Sequence, residues 1–382
     1  MEFAPDDRDA ERARGFAAQA IAPSVVTRDR EHCWEPELFQ RMGAAGLLGA
    51  TLPEAFGGGG RSAVALAGLM TGFAEGSGDA GLALAWVAHT LGCATPLATL
   101  GSDAQRERWL PGLVRGEVVG ALAHEEIFAN SATGVRTRAE RMSPGRWIVR
   151  GTKSWVVNGP VADLFVVTAV TDPAAGKHGV SAFLVRRDAP GLALGRRLGA
   201  TMRTAAVGEL VLDDCELTDA DLLGAEGTGL TQVIRLARRG VRAFQFAPWL
   251  GFMRLLVDHS VVHARERHRH GRPLSHSQTT RALLADMRIR LELSRRMLAH
   301  AAWQLDVAAD QAGRSVATSA LFVAESVGFV ARGALQLHGA AALERDSVVG
   351  RLARDAEVAA GLLVDSPDVL RAVIAGSLLD LG

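Results

Sequence analysis

Apolar positions recur at three- and four-residue spacing through ELFQRMGAAGLLG (37–49) and AVALAGLMTGFAEG (63–76), with Gly or Pro at the joints. That period is one face of an α-helix, so residues 1–118 read as an N-terminal helical domain. LPEAFGGGG (52–60) breaks it as a loop, because a glycine run holds neither helix nor strand. The period then changes. RWIVRGTKSWVV, ADLFVVTAV, GVSAFLVRR and GELVLDDCEL are short β-branched runs separated by turn-formers, and predict an antiparallel β-domain over 119–224. Helix returns over 225–382. AFQFAPWLGFM (243–253) carries no charge, which predicts a helix buried on every side, kinked at Pro248. The order helix, strands, helix implies an α+β fold of three domains, the last a helical bundle.

Composition narrows the classes. Lys+Arg and Asp+Glu are both 42, so no global field favours nucleic acid or an anionic membrane. No stretch reaches 18 uncharged apolar residues, which argues against a membrane span. MEFAPDDRDAERARG opens with acids and carries no apolar signal segment, so the cytoplasm is the expected compartment. Cys33, Cys93 and Cys215 form no CxxC pair, and HEEIF (124–128) is not HExxH, so no metal site is expected.

Five segments in register resemble the acyl-CoA dehydrogenase family. They are GLLGATLPEAFGG (46–58), GSDAQRERWLPGLVRGEVVGALAHEE (101–126), WIVRGTKSWVVNG (147–159), ARERHRHGRPLSHSQ (264–278) and QLHGAAALERDSVVGRLARDA (336–356). The resemblance implies that family's fold, FAD, and a homo-oligomer, dimer or tetramer, in which a neighbouring subunit completes the cofactor site. It also implies an acyl thioester substrate on CoA or an acyl carrier protein, with the electron acceptor left open. Arg267 falls on the arginine that reaches the flavin diphosphate, and a guanidinium suits paired oxygens. Gln278, Gln336 and Gly339 fall on other cofactor contacts, and Trp155 falls where an indole packs on the isoalloxazine. Taken alone, RERHRHGR reads as a solvated basic face or a weak nucleic-acid patch, Trp155 as core, and Gln336 with Gly339 as a helix end.

The chain departs from the family around the reactive face. His124 replaces a threonine, and Asn130–Ser131 replace Ser-Asp in the loop that floors the cofactor. Val157 replaces a threonine whose hydroxyl faces flavin N5, His270 replaces an aromatic, and Ala340 and Ala342 replace glycines. The family's glutamate base falls, without a gap, at Leu363; the alternative base position, before Arg242, holds Val241. Tyrosine is absent altogether. Three substitutes follow: Asp365, which also reads as a helix cap; Glu125, which also reads as a loop brace; and His124, which also reads as a hydrogen-bond partner of the flavin. Arg242 is a candidate substrate contact.

These observations favour FAD-dependent oxidation of a small acyl thioester in specialised metabolism, such as polyketide extender-unit formation. A flavin monooxygenase on the same fold is the alternative, and a non-catalytic scaffold the third reading.

Overall fold

The structure, a computed structural model, describes residues 7–127, 134–361 and 365–379. The chain opens on helices α1 (Asp7–Ala20), α2 (Val25–Glu31), α3 (Pro36–Ala44), α4 (Ala63–Ser77), α5 (Ala80–Val87), α6 (Thr95–Leu100) and α7 (Asp103–Arg115). Strands follow: β1 (Gly120–Ala123), β2 (Arg138–Ser143), β3 (Arg146–Val157), β4 (Leu164–Val170), β5 (Val180–Arg186), β6 (Leu192–Leu198) and β7 (Val207–Thr218). Then come α8 (Arg235–Phe244), α9 (Ala247–Glu266), a hairpin of β8 (His268–Arg269) and β9 (Arg272–Pro273), α10 (Gln278–Val307), α11 (Gly313–His338), α12 (Val348–Gly361) and α13 (Pro367–Leu378).

These elements gather into two compact units, one of Met1–Thr27, Ser62–Ala83 and Arg242–Gly382, the other of Arg28–Arg61 and Leu84–Val241. The N-terminal helices are divided between them, α1 and α4 joining the C-terminal helices. Glycine makes that joining possible. A Cβ at Gly72 would collide with the Ala10 carbonyl of α1, and one at Gly251 with the Thr71 carbonyl of α4. Within this unit α11 packs on α9, α10, α12 and α13. Val323, Val327, Val330 and Ala331 of α11 are buried, as a helix surrounded by others requires.

The second unit carries the sheet. Strand order is β1-β4-β2-β3-β7-β6, with β5 on the other edge of β4. Pairing is antiparallel except for β1 on β4 and a single β2–β4 bridge, which are parallel. The register Ala123↔Val167 sets the residue after β1 beside the middle of β4. A core of Leu97, Leu110, Leu113, Leu164, Val166 and Leu184 bonds α6 and α7 to β4 and β5. Helix α7 starts on a capping box, in which Ser102 Oγ accepts from Gln105 N at 3.2 Å and Gln105 Oε1 from Ser102 N at 3.0 Å.

Two local expectations change. AFQFAPWLGFM is not one kinked helix: α8 ends at Phe244, and Pro248 sits in the first turn of α9, where its missing N–H costs no hydrogen bond. Its burial stands, Phe244, Phe246, Phe252 and Met253 all being inside. Ala80–Leu100 and Gly313–Leu343 are long and apolar enough to cross a membrane. However, 83% and 56% of their most apolar windows are buried in the protein, as in core helices.

Candidate active site

The loop after β1 is tied to β3 and β4 by a buried polar network. Lys153, on β3, has no exposed side-chain surface, and Glu126 has 4%. The ammonium donates to Glu126 Oε1 at 2.6 Å, Thr168 Oγ1 at 3.2 Å and the His124 carbonyl at 3.3 Å. Glu126 also accepts from Arg136 N (2.7 Å), Thr137 N (3.1 Å) and Thr137 Oγ1 (2.7 Å). Burial would raise the Glu126 carboxyl, but Lys153 and the Thr137 bonds outweigh it and hold it below the ordinary range. Burial lowers the Lys153 ammonium to about 8, against the pull of Glu126.

His124 is 7% exposed, with Nδ1 at 2.9 Å from Thr168 Oγ1. Burial, followed by the charges of Lys153 and Arg238, pushes its imidazole down to about 3. It is neutral at any physiological pH.

The loop-bracing role read for Glu125 belongs to its neighbour. Glu125 has 63% of its side chain exposed and meets Arg238 at 3.4 Å. Its backbone carbonyl, accepting from Ser154 N at 2.8 Å, is what ties it to β3. Sequence reasoning passed over Glu126, Lys153 and Thr168. The available signal was a second acid in HEE and one of only two lysines in the chain.

Trp155 follows in the same strand, 57% exposed and at a φ of 54°. A bulky residue in left-handed backbone is strained, and the β3–β7 register shifts there, between Lys153 and Val156. Val157 is half-buried and pairs with Val207. Asn130 and Ser131 lie outside the described residues.

The other unit carries a basic hairpin and a carboxylate. His270 and Gly271, at φ of 51° and 76°, turn β8 into β9. A cavity of about 620 Å³ beside it is lined by Arg269, His270, Arg272, His276, Thr280 and Gln336, among others. Arg267 and Gln278 are exposed but are not among its lining residues. Arg267 ends α9, its N–H on the His263 carbonyl at 2.8 Å, and Gln278 begins α10. Gly339 ends α11 at a φ of 54°, followed by exposed Ala340. The cavity thus brings His270 and Gln336 together and adds Arg269, Arg272 and His276, none of which was singled out from the sequence.

Asp365 is not the cap of α13. That role belongs to Ser366, whose hydroxyl accepts from Val369 N at 3.3 Å. Asp365 Oδ2 instead takes Nε and NH2 of Arg242 at 2.6 Å each, and its side chain is 8% exposed. Arg242, the candidate substrate contact, is therefore engaged by a carboxylate 123 residues away in the chain. Leu363 lies outside the described residues. Among the described residues no group of three His, Cys, Asp or Glu is placed to hold a metal ion.

Comparison with known proteins places these residues in context. Profiles described as the N-terminal, middle and C-terminal domains of acyl-CoA dehydrogenase match residues 8–117, 125–215 and 227–363. The L-prolyl peptidyl-carrier-protein dehydrogenase of Pseudomonas fluorescens is 33% identical over 361 residues, 91% of this chain and 94% of that one. The solved structure of PigA with FAD and proline superposes with a TM-score of 0.94 at 26% identity, over all of both chains. The prolyl acyl carrier protein oxidase AnaB does so with a TM-score of 0.91 at 30% identity, over 97% of this chain and 98% of that one.

Proposed function

Because the chain belongs to the acyl-CoA dehydrogenase family and is an FAD-dependent oxidoreductase of acyl thioesters, we propose that it oxidises a small acyl group delivered by a carrier protein. The carrier is inferred from the prolyl-carrier dehydrogenase and oxidase it is similar to. We further propose a homo-oligomer, in the cytoplasm, in which each copy lends its hairpin cavity to the cofactor of another.

FAD suits the residues present. An exposed indole held on strained backbone offers a flat face to a flat ring, and strain of this kind persists where a site uses it. A cavity lined by Arg269 and Arg272 suits a diphosphate. Bound there, FAD supplies a two-electron acceptor for hydride leaving the substrate.

The observation that carries the reading is the Arg242–Asp365 pair. Removing a proton next to a thioester needs an acceptor within hydrogen-bond reach, and general-base help contributes roughly 10²–10⁴ in rate. Val241 cannot supply it. Asp365 can: Arg242 grips Oδ2, and Oδ1 has no partner among the described residues. We assign Asp365 as the proton acceptor and Arg242 as the residue that orients it.

Anaerobic mixing of the holoenzyme with carrier-bound and CoA-bound acyl groups, followed by flavin absorbance, tests this. Bleaching faster with the carrier-bound thioester is expected, slowed roughly 10²-fold or more in Asp365→Asn. Undiminished bleaching in Asp365→Asn would remove the assignment. No bleaching with any thioester, with tight binding of reduced flavin alone, would point instead to an oxygen-using reaction. Sedimentation of the holoenzyme as an FAD-loaded monomer would sink the shared-site proposal.

A further inference from the structure

We infer that Thr168 is a positioning residue which, itself held by Lys153, locks His124 in the neutral tautomer with its proton on Nε2. Position 124 then presents one fixed hydrogen-bond donor.

The inference follows from counting donors and acceptors. An ammonium has three N–H groups and no lone pair. In Lys153 all three are assigned: Glu126 Oε1, the His124 carbonyl and Thr168 Oγ1. Thr168 is fully buried, so its hydroxyl must accept from Lys153 and has one hydrogen of its own to place. The acceptor beside it, among the described residues, is His124 Nδ1 at 2.9 Å. If His124 carried its proton on Nδ1, Thr168 would accept twice and its own hydrogen would be buried without a partner, which is costly. The satisfied arrangement runs one way: Lys153 donates to Thr168, Thr168 donates to Nδ1, and the imidazole proton sits on Nε2. Lys153 and Arg238 also oppose a second proton on the ring, while Glu126 favours one less strongly.

Nε2 has no partner among the described residues. An N–H donor without a protein partner can be matched by a carbonyl oxygen. Under the function proposed above, on which this use of the donor rests, that oxygen belongs either to the flavin pyrimidine ring or to the thioester. The tautomer itself does not depend on that reading.

Nitrogen NMR of the FAD-loaded protein, labelled at its 11 histidines and assigned by comparison with His124→Gln, tests both parts. From about pH 5 to 8 the native protein should show His124 neutral with its proton on Nε2. Thr168→Val should lose that single tautomer while retaining FAD, and Thr168→Ser should restore it. A proton on Nδ1, titration within that range, or an unchanged tautomer in Thr168→Val would each overturn the lock. The native measurement stands even where the valine variant fails to fold. Reducing the flavin with dithionite should move the Nε2–H resonance where the flavin is the acceptor. Adding a redox-inert acyl-pantetheine amide should move it where the thioester is. A resonance that responds to neither overturns the donor role while leaving the tautomer intact.

Discussion

The loop network around Lys153 and the hairpin cavity around Arg269 are both rich in charged groups, yet they are built on opposite terms. In the first, Lys153 spends each donor inside the protein, and Glu126 binds Lys153, Arg136 and Thr137. In the second, Arg269, His270, Arg272 and His276 line open volume. A closed set of charges fixes geometry, because a buried group left unpaired is expensive. An open set that includes two arginines is left to solvent or to an anionic ligand. The first is a scaffold, and the second, under the function proposed above, is a receptor for the cofactor diphosphate.

Four changes would break or sharpen that contrast. Lys153→Met should be the most severe, costing about 3–5 kcal/mol of stability, because it strands the buried Glu126 carboxylate. Urea denaturation of variant and parent reads this directly, and a loss under 1 kcal/mol would mean that the network is not closed as described.

Acid should weaken the scaffold next. His89 is fully buried in the same unit, bonded to the Leu113 carbonyl and to Gly120 N at 3.0 Å each, and burial lowers its imidazole to about 4. The sign is set by which state binds the proton. Between the ordinary histidine value and about 4, the unfolded chain takes up a proton that the folded ring refuses, so stability falls as pH falls. At pH 4 the His89 contribution alone reaches roughly 3 kcal/mol, at about 1.4 kcal/mol per pH unit. His124 acts in the same direction. Denaturation midpoints that stay flat from pH 7 to 4 would contradict this.

The receptor should respond through ligand affinity and not through stability. Arg269→Ala and Arg272→Ala should each weaken FAD binding by roughly 10- to 100-fold, the effect of losing a charge-assisted hydrogen bond. Their thermal midpoints without added FAD should match the parent. Fluorescence titration with FAD reads the first quantity, and unaltered affinity in both variants would remove the cavity from the cofactor site.

The smallest effect belongs to Glu125. Its exposed pairing with Arg238 predicts a loss below about 1 kcal/mol in Glu125→Gln, shrinking further at high salt. A larger loss would mean that the loop is braced at Glu125 as well as at Glu126.

Much of the fold was legible from short-range pattern. RWIVRGTKSWVV corresponds to β3 over Arg146–Val157, and GELVLDDCEL falls within β7, because each buries alternate residues against neighbouring strands. Strands β2 and β6 passed unnoticed. RAERMS and LALGRRL are exposed along nearly their whole length, so no apolar alternation marks them. The family resemblance was equally legible, since its motifs are contiguous.

The amino-acid sequence by itself determined the helix and strand periods, the loop at LPEAFGGGG, and the absence of the family's base at both expected positions. Tertiary structure alone decided which of two adjacent glutamates is buried, that Ser366 and not Asp365 caps α13, and that Asp365 meets Arg242. It also decided that Thr168, a residue without apparent chemistry in a run of valines, stands between a lysine and a histidine. The reason is range. Periodicity and capping are set by neighbours within a few residues, whereas the partner of a charge is set by which distant strands and helices exclude water together.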